Sequence, residues 1–228
     1  MIKDNYLTVK EHIREASGLS PFHQDVTLVA VSKTHPVSDI LQVYEAGQRD
    51  FGENKVQELT EKYEKLPKDI RWHMIGHLQT NKVKYIVDKV CLIHSVDSLH
   101  LAQTIDKEAA KHQIVVPILI EVNIGEEESK SGIPAAMLPD LIREVSLLKH
   151  VQVRGLMCIP PVAGEDGNRK YFQALRNLSI DIKDRNIDNI QMDILSMGMS
   201  DDYMTAVAEG ATIVRVGTSI FGMRDYRN

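Results

Sequence analysis

Apolar residues return along this 228-residue chain in two rhythms, period two over short runs and a three-to-four spacing over longer ones. Ile2, Tyr6, Val9, Ile13 and Ala16 make a helical stripe that stops at Gly18, which predicts an added surface helix over residues 1–18. From Asp25 the pattern changes. The strand-like DVTLVAVS (25–32) is followed by the helix-like DILQVYEA (39–46), closed by Gly47. Strand-like runs recur at RDFGE (49–53), RWHMIG (71–76), CLIHSV (91–96), VVPILIEVN (115–123), VQVRGLMC (151–158), MDILSMG (192–198) and TIVRVG (212–217). Helical stripes lie between them, for example Val56, Leu59, Tyr63, Leu66, then Leu138, Leu141, Val145, Leu148, then Tyr171, Leu175, Leu178, Ile182. The reading is that a helix separates every pair of strands.

Eight alternating β and α units in a chain of this size predict an α/β fold, a closed (β/α)8 TIM barrel, because an open doubly wound sheet usually has fewer strands. No linker is visible, so residues 1–228 are expected to form a single domain with the barrel over 25–222. Such barrels place their active sites at the C-terminal ends of the strands. Here those ends are Ser32-Lys33, Gly52-Glu53-Asn54, Gly76-His77, Ser95, Asn123, Cys158, Ser196-Met197-Gly198 and Gly217-Thr218. Most are small or polar, and Lys33 belongs to the ring.

Composition removes several function classes. A formal charge of -5, with only the thin run Lys82, Lys84, Lys89, argues against a nucleic-acid partner, which needs clustered cations on one face. No stretch approaches the ~18 apolar residues of a membrane span. Charges at Lys3, Asp4, Lys10, Glu11 and Arg14 break any apolar signal segment. Cys91 and Cys158 sit inside strand-like runs, as free thiols acting as small hydrophobes do, so a cytoplasmic protein is expected.

The candidate chemistry gathers in three loops. SMGMSDD and VGTS follow the seventh and eighth strands, where barrels commonly bind phosphate. Ser200 reads as the N-cap of the next helix, able either to cap it or to face an anion; Gly217 and Thr218 add backbone donors and a hydroxyl. A strand-end lysine usually reaches solvent along its aliphatic stem. Held instead in an apolar mouth, the Lys33 amine would be a nucleophile towards carbonyls and form a Schiff base. Beside a phosphate site, that suggests a phosphorylated sugar or pyridoxal 5′-phosphate. Arg215 shares a strand face with Ile213 and Gly217, so it enters the barrel if Gly217 does, either in a structural ion pair or against a ligand such as a pyridine nitrogen. Asn54 either contacts a ring substituent or caps the following helix. His73 and His77 are four apart across a strand end, which does not make a zinc pair, and His35 and His94 show no partner carboxylate at a recognisable spacing. No metal site is expected, and G-x-S-x-G, Walker and G-x-G-x-x-G motifs are absent.

SKTHP, FGENKVQE, WHMIGHLQTNK, KSGI, RGLMCI, LSMGMSDD and VRVGTSIFGMRDY, in this order from about Asp25 to Tyr226, resemble the YggS-type pyridoxal phosphate homeostasis family. The resemblance implies a monomeric barrel similar to the N-terminal domain of alanine racemase, holding pyridoxal 5′-phosphate as a Schiff base with no assigned reaction. By it, Lys33 carries the cofactor, Arg215 meets the pyridine nitrogen, Ser200, Gly217 and Thr218 hold the phosphate, and Asn54 lies beside the ring. No residue is assigned a catalytic role. Lys130, in ESKSGI, matches a family lysine and would be an exposed secondary attachment point, whereas His35 stands where the family often has a second lysine. The implied role is storage of the cofactor or its delivery to enzymes that need it. The competing readings are an amino-acid racemase using the same cofactor and a Schiff-base aldolase acting on a sugar phosphate.

Overall fold

The alternation of inward and outward residues gives eight parallel strands: β1 (Thr27–Val31), β2 (Asp50–Glu53), β3 (Arg71–Met74), β4 (Val90–Val96), β5 (Val116–Asn123), β6 (Val151–Met157), β7 (Ile190–Ser196) and β8 (Ile213–Val216). Each pairs with its neighbours in chain order, and β8 returns to β1 through Val29 opposite Arg215 and Ala30 opposite Val216. Closure leaves the barrel without an open edge. A two-residue strand, Ile133–Pro134, lies beside the end of β5. The computed structural model describes residues 1–127, 131–161 and 167–223; the expected attachment point Lys130 falls outside them. Among the described residues no helix is long and apolar enough to cross a membrane.

The outer layer is α1 (Ile2–Leu19), α2 (Val37–Glu45), α3 (Val56–Lys65), α4 (Leu99–His112), α5 (Leu138–Val145), α6 (Arg169–Lys183), α7 (Tyr203–Ala208) and α8 (Thr218–Phe221). Between β3 and β4 the expected α-helix is instead a 3-10 segment, Thr80–Tyr85. Its anchors Val83, Ile86 and Val87 are buried, but all three are β-branched and lose side-chain freedom in an α-helix.

α8 is only four residues long, too short to cover the seam between β8 and β1. The N-terminal helix covers it: α1 packs on α2, α7 and α8 and buries Tyr6, Val9 and Ile13. The Tyr6 hydroxyl donates to Gln48 Oε1 at 3.2 Å, and Gln48 Nε2 donates to the Leu28 carbonyl at 2.6 Å. The helix expected as a surface addition therefore serves as an outer stave of the barrel.

Apolar packing falls into two layers. The larger lies between strands and helices and includes Phe51, Trp72, Ile118 and Val214. The smaller fills the barrel interior with Val29, Leu92, Leu119, Met157 and Ile213. Because side chains alternate along a strand, these five fix which residues point inward: Lys33 follows the parity of Val29, and Arg215 that of Ile213.

Candidate functional site

At the C-terminal ends of the strands a cavity of about 240 Å³ is lined by Lys33, Asn54, Ser200, Arg215, Gly217 and Thr218, with Val31, Ile75 and Ile159 as apolar walls. The six residues expected from sequence thus share one pocket. Asn54 follows β2, and its backbone lies so close to Gly76 that a Cβ there would sit 2.4 Å from the Asn54 carbonyl oxygen. Asn54 does not cap α3. The capping position is Lys55, with no side-chain bond, and Asn54 Oδ1 is buried with no hydrogen-bond partner among the described residues. A buried acceptor left open is costly, and this one belongs to a residue that lines the cavity.

Ser200 is likewise not the helix cap. Asp202 holds that position, and its carboxylate accepts from the Met199 amide at 2.7 Å and from Asn168 Nδ2 at 2.7 Å. The tight turn displaces the cap by two residues: Gly198 takes φ +93°, and a Cβ there would lie 2.5 Å from that of Ala206. Ser200 Oγ instead accepts from the amides of Gly217 and Ser219, each at a long 3.3 Å. One oxygen already stands where two backbone N–H groups converge. This is the donor arrangement an anion oxygen requires.

Arg215 is 4% exposed. Its Nη1 donates to Ser196 Oγ at 2.7 Å and its Nη2 to the Cys158 carbonyl at 2.9 Å. From Ser196 a chain of contacts crosses the barrel: Ser196 Oγ to His94 Nδ1 at 2.8 Å, His94 Nε2 to His73 Nδ1 at 2.9 Å, and His73 Nε2 to Asp50 Oδ1 at 3.0 Å. Arg71 closes the far end by donating to the same Asp50 carboxylate. A guanidinium can only donate and a carboxylate can only accept, which fixes the two ends of the chain: Arg215 donates to Ser196 Oγ, and His73 donates from Nε2 to Asp50. Burial, then the neighbouring His73 and Arg215, hold His94 well below the usual histidine range. Burial raises the Asp50 carboxyl, but hydrogen bonds from His73 and Arg71 outweigh it and the net shift is downward.

Sequence reasoning misses this chain. His94 reaches Asp50 through His73, and the partner carboxylate of His35 is Asp39, whose Oδ2 lies 3.6 Å from His35 Nδ1 at i,i+4. The available signal is parity: Asp50, His73, His94, Ser196 and Arg215 all fall on inward positions of their strands. Asp50, His73 and Cys91 place donor atoms within 4.8 Å of one another. Both ring nitrogens of His73 are already engaged, and burial pushes the Cys91 thiol up to about 12. Asp50 and His73 belong to the internal network, and Cys91 Sγ donates to the Trp72 carbonyl at 3.3 Å.

Residues 2–225 match the family described as alanine racemase, N-terminal domain. A pyridoxal phosphate homeostasis protein of Aquifex aeolicus (strain VF5) is 47% identical over 87% of this chain and 87% of its own. That of Escherichia coli (strain K12) is 38% identical over 99% of this chain and 97% of its own. Among solved structures, PipY of Synechococcus elongatus PCC7942 with PLP bound superposes with a TM-score of 0.84 at 37% identity, covering 97% of this chain and 100% of that one. An alanine racemase from Corynebacterium glutamicum gives a TM-score of 0.75 at 13% identity, covering 100% of this chain and 62% of that one, a likeness of fold alone. With the barrel, the mouth and these matches agreeing over nearly its whole length, the chain belongs to the alanine racemase N-terminal domain family, and within it to the pyridoxal phosphate homeostasis proteins.

Proposed function

We propose that this protein holds pyridoxal 5′-phosphate in the barrel mouth, attached to Lys33, and works as a monomeric, single-domain cytoplasmic carrier that stores the cofactor or passes it to apo-enzymes. The observation that carries this reading is the convergence of Lys33, Asn54, Ser200, Arg215, Gly217 and Thr218 on one cavity of about 240 Å³. The donor set suits the ligand at each end. Ser200 with the Gly217 amide and the Thr218 hydroxyl would take the phosphate, Arg215 would donate to the pyridine nitrogen, and Asn54 Oδ1 would gain the partner it lacks from a ring substituent. What the cofactor supplies is an aldehyde that condenses with an amine, a C=N bond forming as water leaves. The protein's share is to present one amine and to hold the ring and the phosphate.

Borohydride reduction followed by peptide mapping tests the reading, because hydride addition to the C=N carbon makes the link a permanent secondary amine. The expected label is on Lys33. A label confined to other lysines, or a purified protein that takes up no pyridoxal phosphate, would sink the assignment. A colourless protein that instead captures a sugar phosphate would favour the aldolase.

A further inference from the structure

The peptide groups on either side of Lys33 are gripped from behind by α3. Lys62 has a side chain 7% exposed, and its ammonium donates to the Ser32 carbonyl, Glu53 Oε1 and Glu58 Oε1, each at 2.7 Å. The Ser32 hydroxyl donates to Glu53 Oε1 at 2.6 Å. On the other side of Lys33 the Thr34 amide donates to Glu58 Oε1. The His35 amide closes the turn on the Ser32 carbonyl at 3.1 Å.

Thr34 shows what the grip opposes. Its φ is +68°, in the left-handed region, which a β-branched residue enters only under constraint. The Thr34 side chain faces solvent, so packing does not offset the strain. The offset comes through its amide, at the Glu58 carboxylate. A Glu58–Lys62 pair at i,i+4 would be ordinary on a helix, and a buried pair could simply fasten α3 to the barrel. The Lys62–Glu53 contact fits such a fastening, but neither explanation accounts for the other two contacts of Glu58 and Lys62, which fall on the carbonyl before Lys33 and the amide after it.

We infer that Glu58 and Lys62 are positioning residues for Lys33: together they hold Thr34 in its left-handed turn and so keep the Lys33 side chain directed into the mouth. The inference rests on the reading of Lys33 as the attachment lysine. Neither residue lines the cavity, and both act through the backbone on either side of that lysine.

Glu58→Ala tests it, with Thr34→Asn as the partner substitution because asparagine enters the left-handed region far more readily than threonine. The rate of borohydride-trappable capture of pyridoxal phosphate on Lys33 should fall about tenfold in Glu58→Ala, the effect of roughly one charge-assisted hydrogen bond. It should fall less in Glu58→Gln, which keeps an acceptor. Adding Thr34→Asn to Glu58→Ala should restore most of the loss, which a merely structural role of Glu58 would not allow. Amide exchange in the cofactor-free protein reads the turn directly: protection of the His35 amide should be lost in Glu58→Ala and regained in the double variant. Unchanged capture and protection in Glu58→Ala, or no recovery with Thr34→Asn, would overturn the inference. If wild-type protein captures the cofactor on another lysine, the reading of the site falls, while the exchange data still judge the clamp. Should Glu58→Ala unfold, Glu58→Gln with and without Thr34→Asn decides by the same two readouts.

Discussion

Arg215 and Ser196 meet 2.7 Å apart inside the barrel, where a cation that would otherwise be very costly to bury is tied to a hydroxyl that also bonds His94 Nδ1 at 2.8 Å. The guanidinium is thus fixed in place before any ligand arrives, and its orientation depends on residues from β2, β3, β4 and β7 acting together.

Ser196→Ala removes the middle of that chain and leaves Arg215 Nη1 and His94 Nδ1 each without a buried partner. The expected loss of stability is about 2–3 kcal/mol, read from the urea midpoint at unchanged slope. The absorption band of bound cofactor should shift as well, because Arg215 loses its fixed aim. A destabilisation below about 0.5 kcal/mol, within the range of ordinary surface substitutions, would show that the chain is not a cooperative unit.

Thr218→Val tests where the phosphate sits. Losing one charge-assisted hydrogen bond to a phosphate oxygen should cost about 1.5–3 kcal/mol, or roughly 10- to 150-fold in affinity. The loss should appear with pyridoxal phosphate and be nearly absent with pyridoxal, which has no phosphate. Equal weakening of both ligands would place the anion elsewhere.

The fold is legible in the sequence because its cause is periodic. All eight strands fall within a few residues of the bounds that patterning predicts, since each has a face on the apolar layer under the helices. Lys33, Asn54, Gly217 and Thr218 are legible by position at strand ends, Arg215 by the face it shares with Gly217 and Ser200 by its loop, together with the family resemblance. Ser200 reads wrongly as a cap because a glycine turn moves the helix start to Asp202, and turn geometry of this kind is not periodic. The Asp50–His73–His94–Ser196–Arg215 chain escapes a sequence reading because it joins residues far apart along the chain, whose contacts depend on closure of the barrel. The Lys62 clamp is hidden for a similar reason: helix spacing pairs Glu58 with Lys62, but only the docked α3 brings them to the peptides beside Lys33.

Glu121 gives the protein a pH signature. It is buried on β5, and burial, with Asp97 adding and Arg215 opposing, raises its carboxyl from the ordinary 4.5 to about 7. In the window between those values the folded chain holds a proton that the unfolded chain has released. Its contribution is therefore present in full below the unfolded value and is lost as pH rises through about 7. Each pH unit across that window corresponds to about 1.4 kcal/mol, so the loss near pH 8 is on the order of 3 kcal/mol. Glutamine is neutral throughout, so Glu121→Gln should melt higher than wild type near pH 8 and close to wild type near pH 5. Glu53 is also raised to about 7 by burial and remains in both proteins, so the difference between the two melting curves isolates Glu121. A variant that melts below wild type at both pH values would show that the Glu121 carboxylate is a needed partner of Arg215.

The last expectation is that the loaded protein does not racemise amino acids at an enzymatic rate. Racemisation takes a proton from one face of Cα and returns one to the other, which needs two acid/base groups on opposite sides. Lys33 can serve as one. The other titratable side chains lining the mouth among the described residues are His35, Asp201 and Arg215. His35 leaves the same strand end as Lys33, two residues on, and is stacked on Phe221 with ring centroids 4.8 Å apart, so it shares the approach from β1. Asp201 lies in the loop beside the phosphate donors. Arg215 remains a cation and can only donate, so a pyridine nitrogen facing it stays unprotonated and the ring is a weaker electron sink. The experiment is deuterium exchange from solvent at Cα of L-alanine and several other L-amino acids, with chiral analysis of the same samples. The expected outcome is no exchange beyond that of free cofactor. Many turnovers within minutes, abolished by Lys33→Ala, would make the protein a racemase and would point to His35 as the first residue to test as its second proton carrier.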